Sequence, residues 1–182
     1  MRIISGIHKG RRITAPKKLP IRPTTDMAKE ALFNIINNQF RFHNLSVLDL
    51  FSGSGNISYE FGSRGAGPIT SVDGNFECVK FIKTTAAELD LDITPVKSDV
   101  FKYLEKAPIK ADIIFADPPY DFDEEKFLKI ANLVFEKELL KPKGVLIIEH
   151  SKHTKLTNNP HLTEARKYGN SVFSFFRATD AE

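Results

Sequence analysis

The chain of 182 residues, with 41% hydrophobic and 27% charged side chains, is long enough for one domain with a substantial core and short for two. Its apolar runs reach only four residues, at 113–116 and 145–148. A membrane span needs about 20 and a signal-peptide core at least about 7, so neither is expected and the cytoplasm is the expected compartment. The single cysteine, Cys78, excludes an internal disulfide and a cysteine-paired zinc site. The net charge of +3 divides into +7 on residues 1–25, which carry no acid, and −4 on the rest.

Residues 1–24 are the first expected unit, a basic arm with Arg2, Lys9, Arg11, Arg12, Lys18 and Arg22 as candidate nucleic-acid contacts. Concentrated positive charge suits a polyanionic partner. Ile3, Ile4, Ile7 and Ile13 alternate weakly around Gly6 and Gly10, which predicts a short hairpin instead of a solvated tail. After a bend at Pro20–Thr25, Ala28, Leu32, Ile35, Ile36 and Phe40 follow at helical spacing. Thr25 is the expected N-cap, and Asp26 suits the positive end of the helix dipole.

Beyond residue 46 short apolar runs alternate with amphipathic stretches. Strands are expected at 46–51, 68–73, 93–98, 111–117 and 144–150, and helices near 56–64, 75–90, 100–106 and 123–140. Gly65 and Gly144 stand where helix C-caps or turns would need them. This alternation predicts a parallel sheet covered on both faces. Residues 164–168 and 171–177 flank Gly169–Asn170 as a hairpin, so the expected fold over 25–182 is α/β and Rossmann-like, with a seven-stranded mixed sheet.

The first expected strand runs through Asp49 and Phe51 into Ser52–Gly53–Ser54–Gly55 before a helix. Glycines there admit a ligand to the backbone, and the helix start offers free N–H groups to an anionic end. The third glycine of a dinucleotide fingerprint is replaced by Ser58. Asp73 ends the second strand, and Asp99, followed by Val100, ends the third, so three carboxylates gather at one sheet edge. An acid after the second strand suits ribose hydroxyls. Asp49 beside the loop would repel a pyrophosphate and attract an ammonium, which favours S-adenosylmethionine over NAD. The expected cofactor contacts are Asp49, Phe51, Gly53, Ser54, Gly55, Asp73, Asp99 and Val100.

The fourth strand runs into Asp117–Pro118–Pro119–Tyr120, the expected catalytic turn. Two prolines fix φ and remove two donors, leaving a rigid corner of acceptors. The Asp117 carboxylate and the Pro118 carbonyl are suited to hold both hydrogens of an exocyclic amine on a planar base. Tyr120 offers a ring for stacking. Positioning and electrostatic stabilisation of the charge growing on nitrogen then supply the catalysis, without a strong base.

The Asp49–Gly55 loop and the Asp117–Tyr120 turn together look like motifs I and IV of class I amino-methyltransferases. More narrowly, Arg2–Gly6, Gly10–Arg12, Arg22–Pro23–Thr24–Thr25–Asp26, Lys29–Ile35, Ser63–Ala66 and Lys167–Gly169, in this order, resemble the bacterial small-subunit (16S) ribosomal RNA guanine-N2 methyltransferase family. The resemblance implies a class I methyltransferase fold, S-adenosylmethionine as cofactor, and one guanine of 16S rRNA or the small ribosomal subunit as substrate. It also implies that the arm and the Arg22–Pro23–Thr24 bend contact RNA. The chain departs from the family at Asp73, where Glu is usual, and at Lys29, which replaces a common Arg and lacks its bidentate phosphate geometry.

Three alternatives stay open: a DNA adenine or cytosine amino-methyltransferase, a protein amide methyltransferase, which more often has Asn in place of Asp117, and a non-catalytic RNA-binding assembly protein. The five histidines lack metal-ligand spacing, so no metal is expected, and a monomer is. His150 and His153 fall in an expected loop, Glu149 is read as facing solvent, and Cys78 as buried packing. Phe101, Phe127, Phe135, Phe173 and Phe175 are read as core, with Phe51 beside the glycine loop as the exception.

Overall fold

The computed structural model describes residues 1–22 and 24–179. Pro23, part of the expected RNA-contacting bend, lies outside them. The elements in chain order are α1 (Asp26–Gln39), β1 (Val47–Leu50), α2 (Asn56–Ser63), β2 (Ile69–Asp73), α3 (Phe76–Glu88), β3 (Ile93–Lys97), α4 (Val100–Lys106), β4 (Ala111–Ala116), α5 (Glu124–Glu136), β5 (Leu140–Ser151), β6 (Leu162–Tyr168) and β7 (Ser171–Phe176). One sheet takes the order β3-β2-β1-β4-β5-β7-β6. The first five strands are parallel, and β7 runs antiparallel between β5 and β6. No helix among the described residues is long and apolar enough to cross a membrane.

The central strands are continuous apolar runs because helices cover both faces. On one face Phe33, Tyr59, Phe61, Ile113 and Ile147 pack with α1, α2 and α3. On the other, Leu50, Val72, Ile114 and Leu146 meet α4 and α5 through Leu104, Phe127, Ile130 and Val134. Thr25 caps α1 by accepting the Ala28 N–H, and Gly65, at φ 102°, lets the chain leave α2 in the left-handed conformation. The strand order reverses between β1 and β4, so the loops after these two strands open a crevice at their carboxyl ends, where such sheets bind ligands.

Three local expectations need correction. Gly144 is not a turn but lies inside β5, beside the register shift that pairs β5 with Ala111 and Ile113. A Cβ there would stand 2.8 Å from the Lys141 carbonyl and 2.9 Å from that of Asp112, so crowding explains the glycine. Helix α5 stops at Glu136, and Glu138 supplies the left-handed residue, φ 52°, that leads into β5. His150 lies in β5 and not in a loop, buried, with its Nε2 2.7 Å from the Ser174 hydroxyl. Phe127, Phe173 and Phe175 are core.

The arm forms the expected hairpin, with an Arg2–Arg12 antiparallel bridge and hydrogen bonds from Ile3 N to Arg11 O and from Ile13 N to Met1 O. Ile3 and Ile13 are buried in the core on the α1 and α2 side. Glu60 of α2 accepts the Ile4 and Ser5 N–H groups at 2.8 and 3.1 Å and pairs with Lys29 at 3.3 Å and Arg64 at 3.0 Å. Lys29 also donates to Arg2 O and to Asn56 Oδ1. The arm is thus held by a polar knot centred on the buried Lys29–Glu60 pair. Lys29, which the family resemblance associated with phosphate, is 1% exposed and faces Glu60 instead.

Candidate active site

The crevice holds a cavity of about 630 Å³, within the ~300–1,000 Å³ usual for small-ligand sites. Asp49, Asp73 and Asp99 all line it, because parallel strands bring successive carboxyl ends to one edge. Phe51, Gly53, Ser54 and Val100 line it as well. The arm supplies the facing wall, through Met1, Ile13, Pro20, Ile21 and Arg22. This part of the arm was not legible in the sequence, since nothing local in residues 1–22 marks a wall for a site made by residues 49–117.

The glycine loop owes its shape to three left-handed residues in five, Phe51 at φ 55°, Gly53 at φ 56° and Gly55 at φ 89°. Phe51 is a non-glycine in that region, which costs about 1–2 kcal/mol. Its ring is fixed edge-on against Phe122, centroids 5.6 Å apart. Gly55 does not itself line the cavity. Its missing Cβ makes room for the Tyr59 ring, which a side chain would meet at 2.6 Å. As N-cap of α2 it offers no side-chain acceptor, so the N–H groups of the first turn, where Asn56 and Ile57 line the cavity, are available to an anionic group.

Each of the three carboxylates has a distinct setting. Asp73 accepts the Gly53 N–H at 2.9 Å and the Asn75 N–H at 2.8 Å, tying the glycine loop to the end of β2. Asp99 caps α4 by accepting the Lys102 N–H at 3.0 Å. Asp49 is 1% exposed and accepts from the Ser58 hydroxyl at 2.7 Å. Burial pushes its pKa up to about 7, against the Ser58 hydrogen bond. Ser58, which replaces a fingerprint glycine, also bonds Ser71 of β2 at 2.6 Å and thus ties β1, β2 and α2 together. The residues present fit S-adenosylmethionine: an α2 start for its carboxylate, a buried acid for its ammonium, and two strand-end acids for ribose hydroxyls.

Asp117 and Pro119 line the same cavity. Pro118 is buried and Tyr120 is 67% exposed, and neither lines the cavity. Arg22 closes this corner. Its Nη2 donates to Asp117 Oδ1 and lies 3.4 Å from Glu149 Oε1, and its guanidinium carbon sits 3.8 Å from the Tyr120 ring centroid. The Asp117 carboxyl is pushed well above the usual range by burial and by Glu149, against the pull of Arg22. Glu149 is shifted up by burial, against Arg22 and the Ser171 hydroxyl. Glu149 corrects the solvent-facing reading: it is 2% exposed. Ala116 of β4 and Ile148 of β5 are register partners, so the next residues on the two strands, Asp117 and Glu149, stand together. Parallel pairing of the two strands was the available signal.

Of the six basic residues expected to meet nucleic acid, Arg22 is thus turned into the cavity. Arg2 pairs with Asp26 at 3.2 Å and Lys18 with Glu77 at 3.3 Å, with side chains 44–68% exposed. Lys9, Arg11 and Arg12 are exposed at the hairpin tip and following strand, and no ion pair is found for them among the described residues. No cluster of three or more metal-ligating side chains occurs among the described residues.

The family model of Conserved hypothetical protein 95 matches residues 1–177. The chain is 34% identical to YlbH of Bacillus subtilis over 161 residues, covering 86% of this chain and 85% of that protein. It is 33% identical to ribosomal RNA small subunit methyltransferase D of Buchnera aphidicola subsp. Acyrthosiphon pisum over 152 residues, 82% of this chain and 78% of that one. Among solved structures, that of the methyltransferase yhhF from Escherichia coli superposes with a TM-score of 0.82 at 25% identity, over 97% of this chain and 96% of that one. A glycine loop with three strand-end acids, an Asp-Pro-Pro-Tyr corner on the same cavity and these matches along nearly the whole length lead to one conclusion: the chain belongs to the Conserved hypothetical protein 95 family, together with the small-subunit ribosomal RNA methyltransferase D proteins.

Proposed function

We propose that the chain transfers a methyl group from S-adenosylmethionine to the exocyclic 2-amino group of a guanine in 16S rRNA. The observation that carries this reading is the Asp117–Pro118–Pro119–Tyr120 corner, of which Asp117 and Pro119 line the cavity of the glycine loop. Relatives named for ribosomal RNA of the small subunit supply the substrate class. The cofactor is S-adenosylmethionine, and when bound it supplies a methyl group on a cationic sulfur.

The chain's own residues do the rest. Asp49 and the start of α2 hold the two charged ends of the methionine part, and Asp73 and Asp99 take the ribose. Asp117 Oδ1 and the Pro118 carbonyl take the two amine hydrogens and fix the nitrogen, so its lone pair is aimed into the cavity. The Tyr120 ring covers the face of the base. A carboxylate with raised proton affinity stabilises the positive charge that grows on nitrogen and accepts its proton at Oδ1. Residues 1–24 serve as the RNA-contacting extension, with Lys9, Arg11 and Arg12 meeting phosphates and Arg2 and Lys18 at the margin.

The test is transfer of tritiated methyl from S-adenosylmethionine to small subunits lacking the modification, to duplex DNA and to protein, with the labelled nucleoside identified by mass. Label on N2 of a single guanine is expected; label only in DNA or protein refutes the reading. Asp117→Ala is expected to lower turnover at least about 100-fold while cofactor affinity, measured by calorimetry, stays within about threefold. Unchanged turnover in that variant removes the corner from the chemistry.

A further inference from the structure

We propose that Glu149 is a specificity-determining residue, which with Asp117 forms a two-carboxylate seat for the N1–H and 2-amino edge of guanine, a seat that the Arg22 guanidinium fills in the free protein. This deepens the guanine-N2 reading and rests on it.

Glu149 carries an expensive arrangement. It is 2% exposed, the Ser171 hydroxyl of β7 acts on its carboxylate as a weak donor, and its Oε2 has no partner at full hydrogen-bond distance among the described residues. Leaving a buried carboxylate oxygen unpartnered costs free energy that a packed core avoids. Its other oxygen lies 3.4 Å from Arg22 Nη2, the same nitrogen that donates to Asp117 Oδ1. Two carboxylates on neighbouring strands therefore converge on one NH₂ group, and the plane bearing that group lies against Tyr120 at 3.8 Å.

The occupant shows what the seat accepts. A guanidinium is a flat N–C(–N)–N unit with N–H donors along one edge. The N1–C2(–NH₂)–N3 fragment of guanine is the same unit within a ring, with N1–H beside the amino group. Adenine and cytosine carry an amino group too, but the adjacent ring nitrogen, N1 or N3, offers a lone pair and not a donor. Glu149 would meet that lone pair with its own, which is repulsive, whereas guanine N1–H satisfies it. A site built around a substrate donor rejects analogues that lack it far better than an apolar pocket rejects a missing methylene. Arg22 must swing out as the base enters. Pro20, Ile21, Thr24 and Thr25 beside it lie outside regular secondary structure, which allows that movement.

The discriminating probe is 2-aminopurine, which keeps the 2-amino nucleophile, replaces N1–H by a lone pair and lacks O6, so that the change of the base ratio in Glu149→Gln, and not the wild-type ratio alone, isolates the N1 contact. Small subunits reconstituted with 16S rRNA carrying guanine or 2-aminopurine at the methylated position are compared at one fixed pH. The full-length protein is expected to favour guanine by about 10- to 100-fold in kcat/KM, the worth of one charged hydrogen bond. Glu149→Gln accepts N1–H through its carbonyl and donates to the 2-aminopurine lone pair through its amide. The ratio should therefore fall to within about threefold, by a gain on 2-aminopurine. A merely structural Glu149 would lower both rates and keep the ratio; that result overturns the proposal. Equal wild-type rates on the two bases overturn it even if the variant fails to fold. Wild-type protein that methylates neither base overturns the guanine reading itself, a failure distinct from guanine methylation with an unmoved ratio.

Discussion

Glu60 offers the most direct test of how the arm is held. Glu60→Ala removes the partner of a Lys29 ammonium that is 1% exposed and the acceptor of the Ile4 and Ser5 N–H groups. Breaking a buried ion pair costs about 3–5 kcal/mol, and each unsatisfied N–H about 1–3 kcal/mol, so a docked arm would carry a penalty of about 5–11 kcal/mol. Burial of Ile3 and Ile13 returns only about 1.5–3 kcal/mol each. The penalty exceeds that return, so the arm is expected to undock while the sheet survives. The loss is then capped at what docking contributed, about 3–6 kcal/mol, or a Tm lower by roughly 6–24 °C at 2–4 °C per kcal/mol. Amide exchange of residues 1–15 should accelerate to near the free-chain rate, and cofactor affinity should fall because the arm walls the cavity. Lys29→Met should cost less, since Glu60 keeps Arg64 and both amides. Unchanged exchange of residues 1–15 in Glu60→Ala, or a larger loss in Lys29→Met, would refute the reasoning.

Two further predictions concern charge at the cofactor cavity and at the hairpin. Asp49 titrates near pH 7 in the free protein and must be ionised to hold an ammonium. A cationic ligand therefore lowers its pKa, and affinity for S-adenosylmethionine should weaken up to tenfold per unit as pH falls below about 7; calorimetry across pH 5.5–8.5 should show this slope in wild type, and a slope just as steep in Asp49→Asn would exclude Asp49 as its source. Replacing Lys9, Arg11 and Arg12 by Ala should reduce the salt-dependence slope of RNA binding by about two to three and leave Tm unmoved, and an unaltered slope would take the hairpin out of the interface.

Much of the molecule was legible in the residue order because it depends on neighbours in the chain. The Thr25 cap, the helical spacing from Ala28 to Ile36, the Gly169–Asn170 hairpin and the seven strands follow from local periodicity and turn chemistry, and the observed elements agree within a few residues. The exceptions have non-local causes: Gly144 is required by crowding from carbonyls 32 or more residues away at Asp112 and Ala111 as well as by nearby Lys141, which no turn preference reveals. The burial of His150 comes from β7, a strand contributed by the C-terminal hairpin, so nothing in the residues beside it reveals it.

Sequence alone determined the chemistry on offer: a glycine loop flanked by acids, a donor-free Asp-Pro-Pro-Tyr corner, and a basic amino-terminal segment. Packing decided what each group faces. Lys29 and Arg22 are both basic residues of the amino-terminal region, yet one is locked onto Glu60 and the other turned onto Asp117, Glu149 and Tyr120. The difference arises because charge is a property of a side chain, whereas its partners come from strands and helices tens of residues distant. Only the closing of the sheet at β1, β4 and β5, with the arm folded over it, brings them within reach.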